Sequence, residues 1–181
     1  MEFGTLFNQS VDYLPSNLTH LKFGSLFNKS VDFLPLSLTH LTFGSQFNQS
    51  VNSLPSKLVY LEFNQSFNQP IDDLPNSIIK IKFNGFNNKY SKNLEYKSNC
   101  FNMSLNSLPS NVKTIWFNYE SKFNLNFDNL PDGLENLILS KYYRNYIQKI
   151  PLNLKNIKCS SKHQQLYQLE SICIKIEKYD Y

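Results

Sequence analysis

Apolar residues fall at fixed offsets along this chain. Phe3, Phe7, Val11, Leu14, Leu18 and Leu21 are followed by Phe23, Phe27, Val31, Leu34, Leu38 and Leu41, a return after 20 residues. The pattern is tracked by a Leu-Pro or Ile-Pro pair at Pro15, Pro35, Pro55, Pro75, Pro109, Pro131 and Pro151. Spacings of 3 and 4 between apolar residues are those of an amphipathic helix. Chemistry rejects that reading, because a proline inside every helix costs about 3 kcal/mol and Gly4, Asn8 and Val11 add to the penalty. The alternative is a short strand at Leu18-x-x-Leu21-x-Phe23, whose alternation turns Leu21 and Phe23 to one side. About fourteen residues then remain to reach the next strand, too few for a long helix with two connections, so the return is extended. A unit this short cannot bury its own apolar side. Stacked neighbours supply the core, and the pattern predicts a β-rich solenoid: a right-handed coil with one parallel β-sheet, extended convex returns and little helix.

Two slips in the period locate insertions. The proline spacing grows to 34 between Pro75 and Pro109, where 14 extra residues enter between Phe83 and Phe101, and it is 22 between Pro109 and Pro131. Phase returns each time, so residues 84–100 are expected to loop out of one face. The whole of 1–181 is then one repeat domain, with repeats over 1–159 and a C-terminal cap over 160–181. In that cap Ile172, Ile174 and Ile176 alternate with Cys173, Lys175 and Glu177, a pattern for one more strand. Gln164 to Leu169 reads as an irregular connection.

Composition changes this picture little. Alanine is absent and Asn contributes 24 of 181 residues, an excess consistent with AT-rich codons. The net charge of +4 comes from scattered lysines, without the clustered stripe that nucleic acid demands. No signal peptide or membrane-length apolar run is visible, so a cytoplasmic protein is expected. Cys100, Cys159 and Cys173 are odd in number and lack metal-ligand spacing, which points to reduced thiols, with Cys159 in a core position. His20 and His40 fall on adjacent strands, yet no third ligand continues their column. Thr19-His20 and Thr39-His40 lack the acid and oxyanion donors of a hydrolase. Gly4, Gly24 and Gly44 end strands at one offset and read as turn residues. No enzyme, metal site or cofactor is expected.

The spacing Leu14-Pro15-x-x-Leu18-x-x-Leu21-x-Phe23 resembles the short, 20-residue class of leucine-rich repeats. The phrases Phe-Gly-x-x-Phe-Asn and Leu-Pro-x-x-Leu-Thr-His-Leu are similar to FNIP repeats, which abound in social amoebae and in large DNA viruses of amoebae. The likeness covers nearly all of residues 1–159. It weakens where Arg144 replaces Asn and where Leu139 or Cys159 replaces Phe. It implies a protein-interaction role, with host cytoplasm as the setting if the protein is viral. Some such proteins carry an F-box ahead of the repeats, whereas this chain begins at Met1 inside a repeat, so no F-box is expected. The alternatives are a ubiquitin-ligase adaptor part that has lost its F-box, or a decaying paralogue that binds nothing.

Repetition within the chain separates structural from recognition positions. Asn8, Asn28, Asn48, Asn68, Asn102 and Asn124 recur just after an inward Phe, and the resemblance to leucine-rich repeats suggests an Asn ladder serving the backbone of adjacent turns. Two Phe columns, one through Phe3 to Phe117 and one through Phe7 to Phe123, form the spine of the core. Outward strand positions change character along the array. They are expected to line up as a strip that recognises a partner protein, with His20, His40, Tyr60, Glu62, Lys80, Lys82, Trp116 and Ile138 as candidates, and Tyr60, Trp116 and Ile138 as exposed anchors. No nucleic acid or membrane is expected as partner. The protein is expected to be monomeric or to associate weakly, edge to edge, through its N-terminal coil.

Overall fold

The computed structural model describes residues 1–85, 100–171 and 175–179. Its strands are β1 (His20–Lys22), β2 (His40–Thr42), β3 (Tyr60–Phe63), β4 (Lys80–Phe83), β5 (Thr114–Phe117), β6 (Asn136–Ile138), β7 (Asn156–Ser160) and β8 (Lys175–Tyr179). All pair in parallel and in sequence order, forming one eight-stranded sheet. The protein is a parallel β-solenoid.

Each coil is closed by the residues that repeat. The carbonyl of Pro15 accepts from the N–H of Leu18 at 3.1 Å, and the same turn recurs at Pro35, Pro55, Pro75, Pro109, Pro131 and Pro151. Leu-Pro-x-x-Leu is thus a β-turn that delivers its second leucine to the core just before the strand. A second turn follows the strand, where the carbonyl of Gly4 accepts from Phe7 N–H at 3.1 Å and Gly24 and Gly44 do the same for Phe27 and Phe47. These glycines answer to a need other than turn conformation. A Cβ on Gly24 would lie 2.1 Å from the carbonyl oxygen of Gly4, and one on Gly44 would lie 1.8 Å from that of Gly24. At Gly24 and Gly44 the coils approach too closely for a side chain, while Gly4 itself has nothing within 4 Å.

Between sheet and returns lies the aromatic spine. Within one coil the rings of Phe43 and Phe47 stack at 3.7 Å and 7°, while Phe43 lies 5.7 Å from Phe63 and Phe47 lies 6.0 Å from Phe67 in the next coil. The first column passes to Leu139 and Cys159, both fully buried. Burial pushes the Cys159 thiol up to about 11, so it stays a protonated, inert core group. The second column continues through Tyr143 to His163, whose rings stack at 5.7 Å. Tyr143 keeps its hydroxyl satisfied by sharing its one proton between the carbonyls of Leu125 and Tyr146, at 3.1 and 3.3 Å.

The long insertion enters at a defined point. Asn84 N–H donates to Phe63 O at 2.8 Å, Cys100 N–H donates to Gln65 O at 2.9 Å, and Phe101 resumes the stack on Phe67 at 6.0 Å. The coil is therefore opened between Gly85 and Cys100 and continues in phase; residues 86–99 of the expected loop lie outside the described residues.

At the C-terminal end the sequence expectation needs correction. Leu166–Ser171 is a short helix, α1, where an irregular connection was expected. Its Leu169 is fully buried, and docking that one side chain on the core supports a turn of helix without any capping signal. The final strand starts at Lys175, and Ile172 and Ile174, read as its beginning, lie outside the described residues. Within it Lys178 pairs in register with Cys159 and so occupies a position that other coils fill with an inward apolar residue. Its ammonium meets Glu170 of α1 at 2.8 Å.

Candidate functional site

The open face of the sheet is built by strand alternation. Leu21, Leu41, Leu61, Ile81, Ile115, Leu137 and Ile157 point inward and are buried, so the residues on either side of each point out. Register aligns these outward residues into two columns. One runs His20, His40, Tyr60, Lys80, Thr114, Asn136 and Asn156. The other runs Lys22, Thr42, Glu62, Lys82, Trp116, Ile138 and Lys158. The eight candidate residues therefore share one surface.

Lateral contacts organise that surface in three stretches. At β1 to β3 the imidazoles of His20 and His40 stack at 4.2 Å and 9°, and Tyr60 continues the stack 5.7 Å beyond His40. The Thr39 hydroxyl donates to Thr19 O at 3.0 Å, so its oxygen accepts from Nδ1–H of His40 at 2.9 Å. Burial, with His20 adding to it, lowers the His40 pKa below its usual value and keeps the ring neutral at pH 7. Stacked rings have parallel in-plane lone pairs, which do not converge on one metal ion. Among the described residues, no group of three or more His, Cys, Asp or Glu residues is placed to hold one.

The central stretch, β3 to β5, is a knit patch. Glu62 accepts from the Tyr60 hydroxyl and from Asn84 Nδ2 at 2.7 Å, and lies 3.5 Å from Lys82 Nζ. Its side chain is only 13% exposed. Glu62 thus holds its neighbours in place more than it meets solvent, a role that the sequence did not disclose. Burial, then the bond to Glu62, raises the Tyr60 pKa far above the usual phenol value, so the hydroxyl remains a donor. Lys82 Nζ lies 4.9 Å from the Trp116 ring centroid, and Lys80 Nζ lies 5.9 Å from that of Tyr60. Tyr60, Trp116 and Ile138 are half-buried, where exposed anchors were expected; Glu62 and Lys80 lean on Tyr60, and Lys82 on Trp116.

The third stretch is amide-rich. Asn156 Nδ2 donates to Asn136 Oδ1 at 2.7 Å, and Asn136 Nδ2 donates to Thr114 Oγ1 at 3.3 Å. Beyond it Lys158 meets Glu177 of β8 at 3.4 Å.

On the return side, the repeated asparagines act on the backbone. Oδ1 of Asn8, Asn28, Asn48 and Asn68 accepts the backbone N–H of Asn28, Asn48, Asn68 and Asn102 in turn, each at 2.9 Å, and Asn102 serves Asn124 at 3.2 Å. Gln49 and Gln69 reinforce the ladder, donating Nε2–H to Asn28 and Asn48 Oδ1 at 3.1 and 3.2 Å. Their offset reads as plain surface in the sequence, and only the stacking of coils brings them to the ladder.

Parallel strands in sequence order, turns at the seven repeat prolines and an asparagine ladder between coils define a leucine-rich-repeat-like solenoid. The FNIP Repeat signature matches residues 7–45, 30–66 and 101–142, more than half of the chain, and the chain belongs to that repeat family. The crystal structure of CroV588, a giant-virus protein described as a novel circular LRR protein, is similar at 32% identity with a TM-score of 0.55. The similarity covers 91% of this chain and 30% of CroV588, so the chain spans less than a third of that protein. No match was found among curated proteins. No helix of the described residues is long and apolar enough to cross a membrane.

Proposed function

We propose that the open face of the sheet recognises a partner protein, with Tyr60, Trp116 and Ile138 as its central contacts. One observation carries this reading. Positions that face the core repeat from coil to coil, while the two aligned outward columns change at almost every strand, from stacked imidazoles through a cation–aromatic patch to an amide row. A surface that served only the solenoid would be free to repeat as the ladder does. The half-burial of Tyr60, Trp116 and Ile138 favours binding too, since side chains held by neighbours lose less entropy on docking. A cytoplasmic setting belongs to the same proposal and is supported by Cys159 being an unbridged thiol. The competing reading is a repeat paralogue that binds nothing.

The test is affinity capture from a host-cell extract with three forms of the chain. Changing Tyr60, Trp116 and Ile138 together to Ser should abolish capture and leave the circular dichroism spectrum unaltered. Lys29, Lys57 and Asp73, all exposed on the return side, should be replaceable by Ser without effect. Loss of capture with the second set and not the first would move recognition to the returns.

A further inference from the structure

Resting on that reading of the open face, we propose that its central patch, Lys80 and Lys82 between Tyr60 and Trp116, receives an extended acidic segment of the partner polypeptide.

The argument begins with where charge lies. Lys22, Lys80, Lys82, Lys158 and Lys175 occupy outward strand positions, against Glu62 and Glu177 in the same columns. The exposed carboxylates Asp12, Asp32, Asp72, Asp73 and Asp128 lie on the returns, beside exposed Lys29, Lys57, Lys122, Lys149 and Lys162. An acidic chain is drawn to the sheet face, where five lysines stand against two glutamates.

Among the described residues, one lysine of the face has no carboxylate partner. Lys22 pairs with Glu2, Lys82 with Glu62, and Lys158 and Lys175 with Glu177. Among the described residues Lys80 pairs with no carboxylate, and it is exposed. The carboxylate nearest this patch, Glu62, is offset by Lys82 Nζ at 3.5 Å and held in place by the Tyr60 hydroxyl and Asn84 Nδ2, which leaves Lys80 as the net positive charge of the patch.

Spacing then selects an extended ligand. Lys80 and Lys82 are two residues apart on β4, so their side chains leave one face about 7 Å apart, the separation at which an extended chain presents carboxylates on alternate residues. Tyr60 and Trp116 flank the two ammonium groups on neighbouring strands. They cover the stems of an incoming Glu or Asp and exclude water from the charge pairs, where such pairs gain strength.

Trp116 is the single tryptophan of the chain and sits in the patch, so its emission reports occupancy. The full chain is titrated with poly-L-glutamate at roughly 50 and 300 mM salt, and in parallel with poly-L-lysine and with oligo-deoxythymidine of matched length. Polyglutamate should shift Trp116 emission, saturably, and more weakly at the higher salt. Lys80→Gln should weaken it about threefold, as for loss of one exposed charge pair, and Lys29→Gln on the returns should not. The proposal is overturned if polylysine or the oligonucleotide binds at lower concentration than polyglutamate, if polyglutamate leaves the emission unchanged, or if Lys80→Gln matches the wild type. Capture that depends on Tyr60, Trp116 and Ile138 while polyglutamate stays inert would leave the recognition face standing and reject its acidic partner.

Discussion

Asn48→Ala isolates one rung of the ladder. Oδ1 of Asn48 accepts two bonds from the next coil, the backbone N–H of Asn68 at 2.9 Å and Nε2 of Gln69 at 3.2 Å. Its own backbone N–H donates to Asn28 Oδ1 and survives the change. The variant therefore strands one half-buried N–H and one amide, for which about 2 to 3 kcal/mol is expected, close to 1 per lost bond with a further penalty for the unsatisfied donor. For a chain of this size that corresponds to a fall in melting temperature of about 4 to 12 °C. Asn48→Asp keeps an acceptor at the same place and should lose much less, while Lys29→Ala, exposed one residue beyond Asn28, should lose nothing measurable. Urea unfolding measures all three, and amide exchange at Asn68 should accelerate in the alanine variant alone. Coincident unfolding curves for Asn48→Ala and Lys29→Ala would refute the ladder as a source of stability. A loss in Asn48→Asp equal to that in Asn48→Ala would show that the NH2 group, and not the acceptor, matters.

Two further outcomes follow from packing and burial. Gly44→Ala should destabilise by about 1 to 3 kcal/mol through overpacking, because its Cβ would meet Gly24 O at 1.8 Å, while Gly4→Ala, with nothing within 4 Å, should be neutral; thermal melts that rank the two equally would contradict close stacking. His163 is buried, takes the Gln165 N–H on Nδ1 at 3.2 Å, and packs against Tyr143, with Arg144 nearby as an added positive charge. Burial first, then Arg144, lowers its folded pKa below the usual 6.5, so the unfolded chain binds the proton first and stability falls as pH drops below about 6.5. Protection factors of amides in α1, referred to the intrinsic exchange rate at each pH, should fall at pH 5 relative to pH 7, and His163→Phe, which restores the ring type of the column, should remove that dependence.

Much of this architecture is legible from the repeat. Leu-Pro-x-x-Leu fixes a turn, Leu-x-Phe fixes a two-faced strand, and recurrence forces both into stacks. What stays hidden depends on contacts between coils. Glu62 reads as an exposed acid on a strand, yet Asn84, in the next coil, helps to turn it into a half-buried strut. Gln49 is indistinguishable from surface until the coil below places Asn28 beside it. Gly24 carries a turn signal, while its role arises from a carbonyl 20 residues earlier. Helix α1 has no acidic residue in its first turn and no basic one in its last, so the usual sequence marks of a helix are missing.

Lys178 limits how such an array grows. Duplicating a unit between two interior coils copies one Phe-on-Phe junction and leaves every neighbour unchanged. Adding a unit beyond β8 would instead enclose the Lys178–Glu170 pair beneath new apolar side chains, and withdrawing two charges from water costs several kcal/mol per ion. Near-identical neighbours such as those built on Phe23 and Phe43 share one kind of junction, whereas the junction at Cys159 and Lys178 is of another kind.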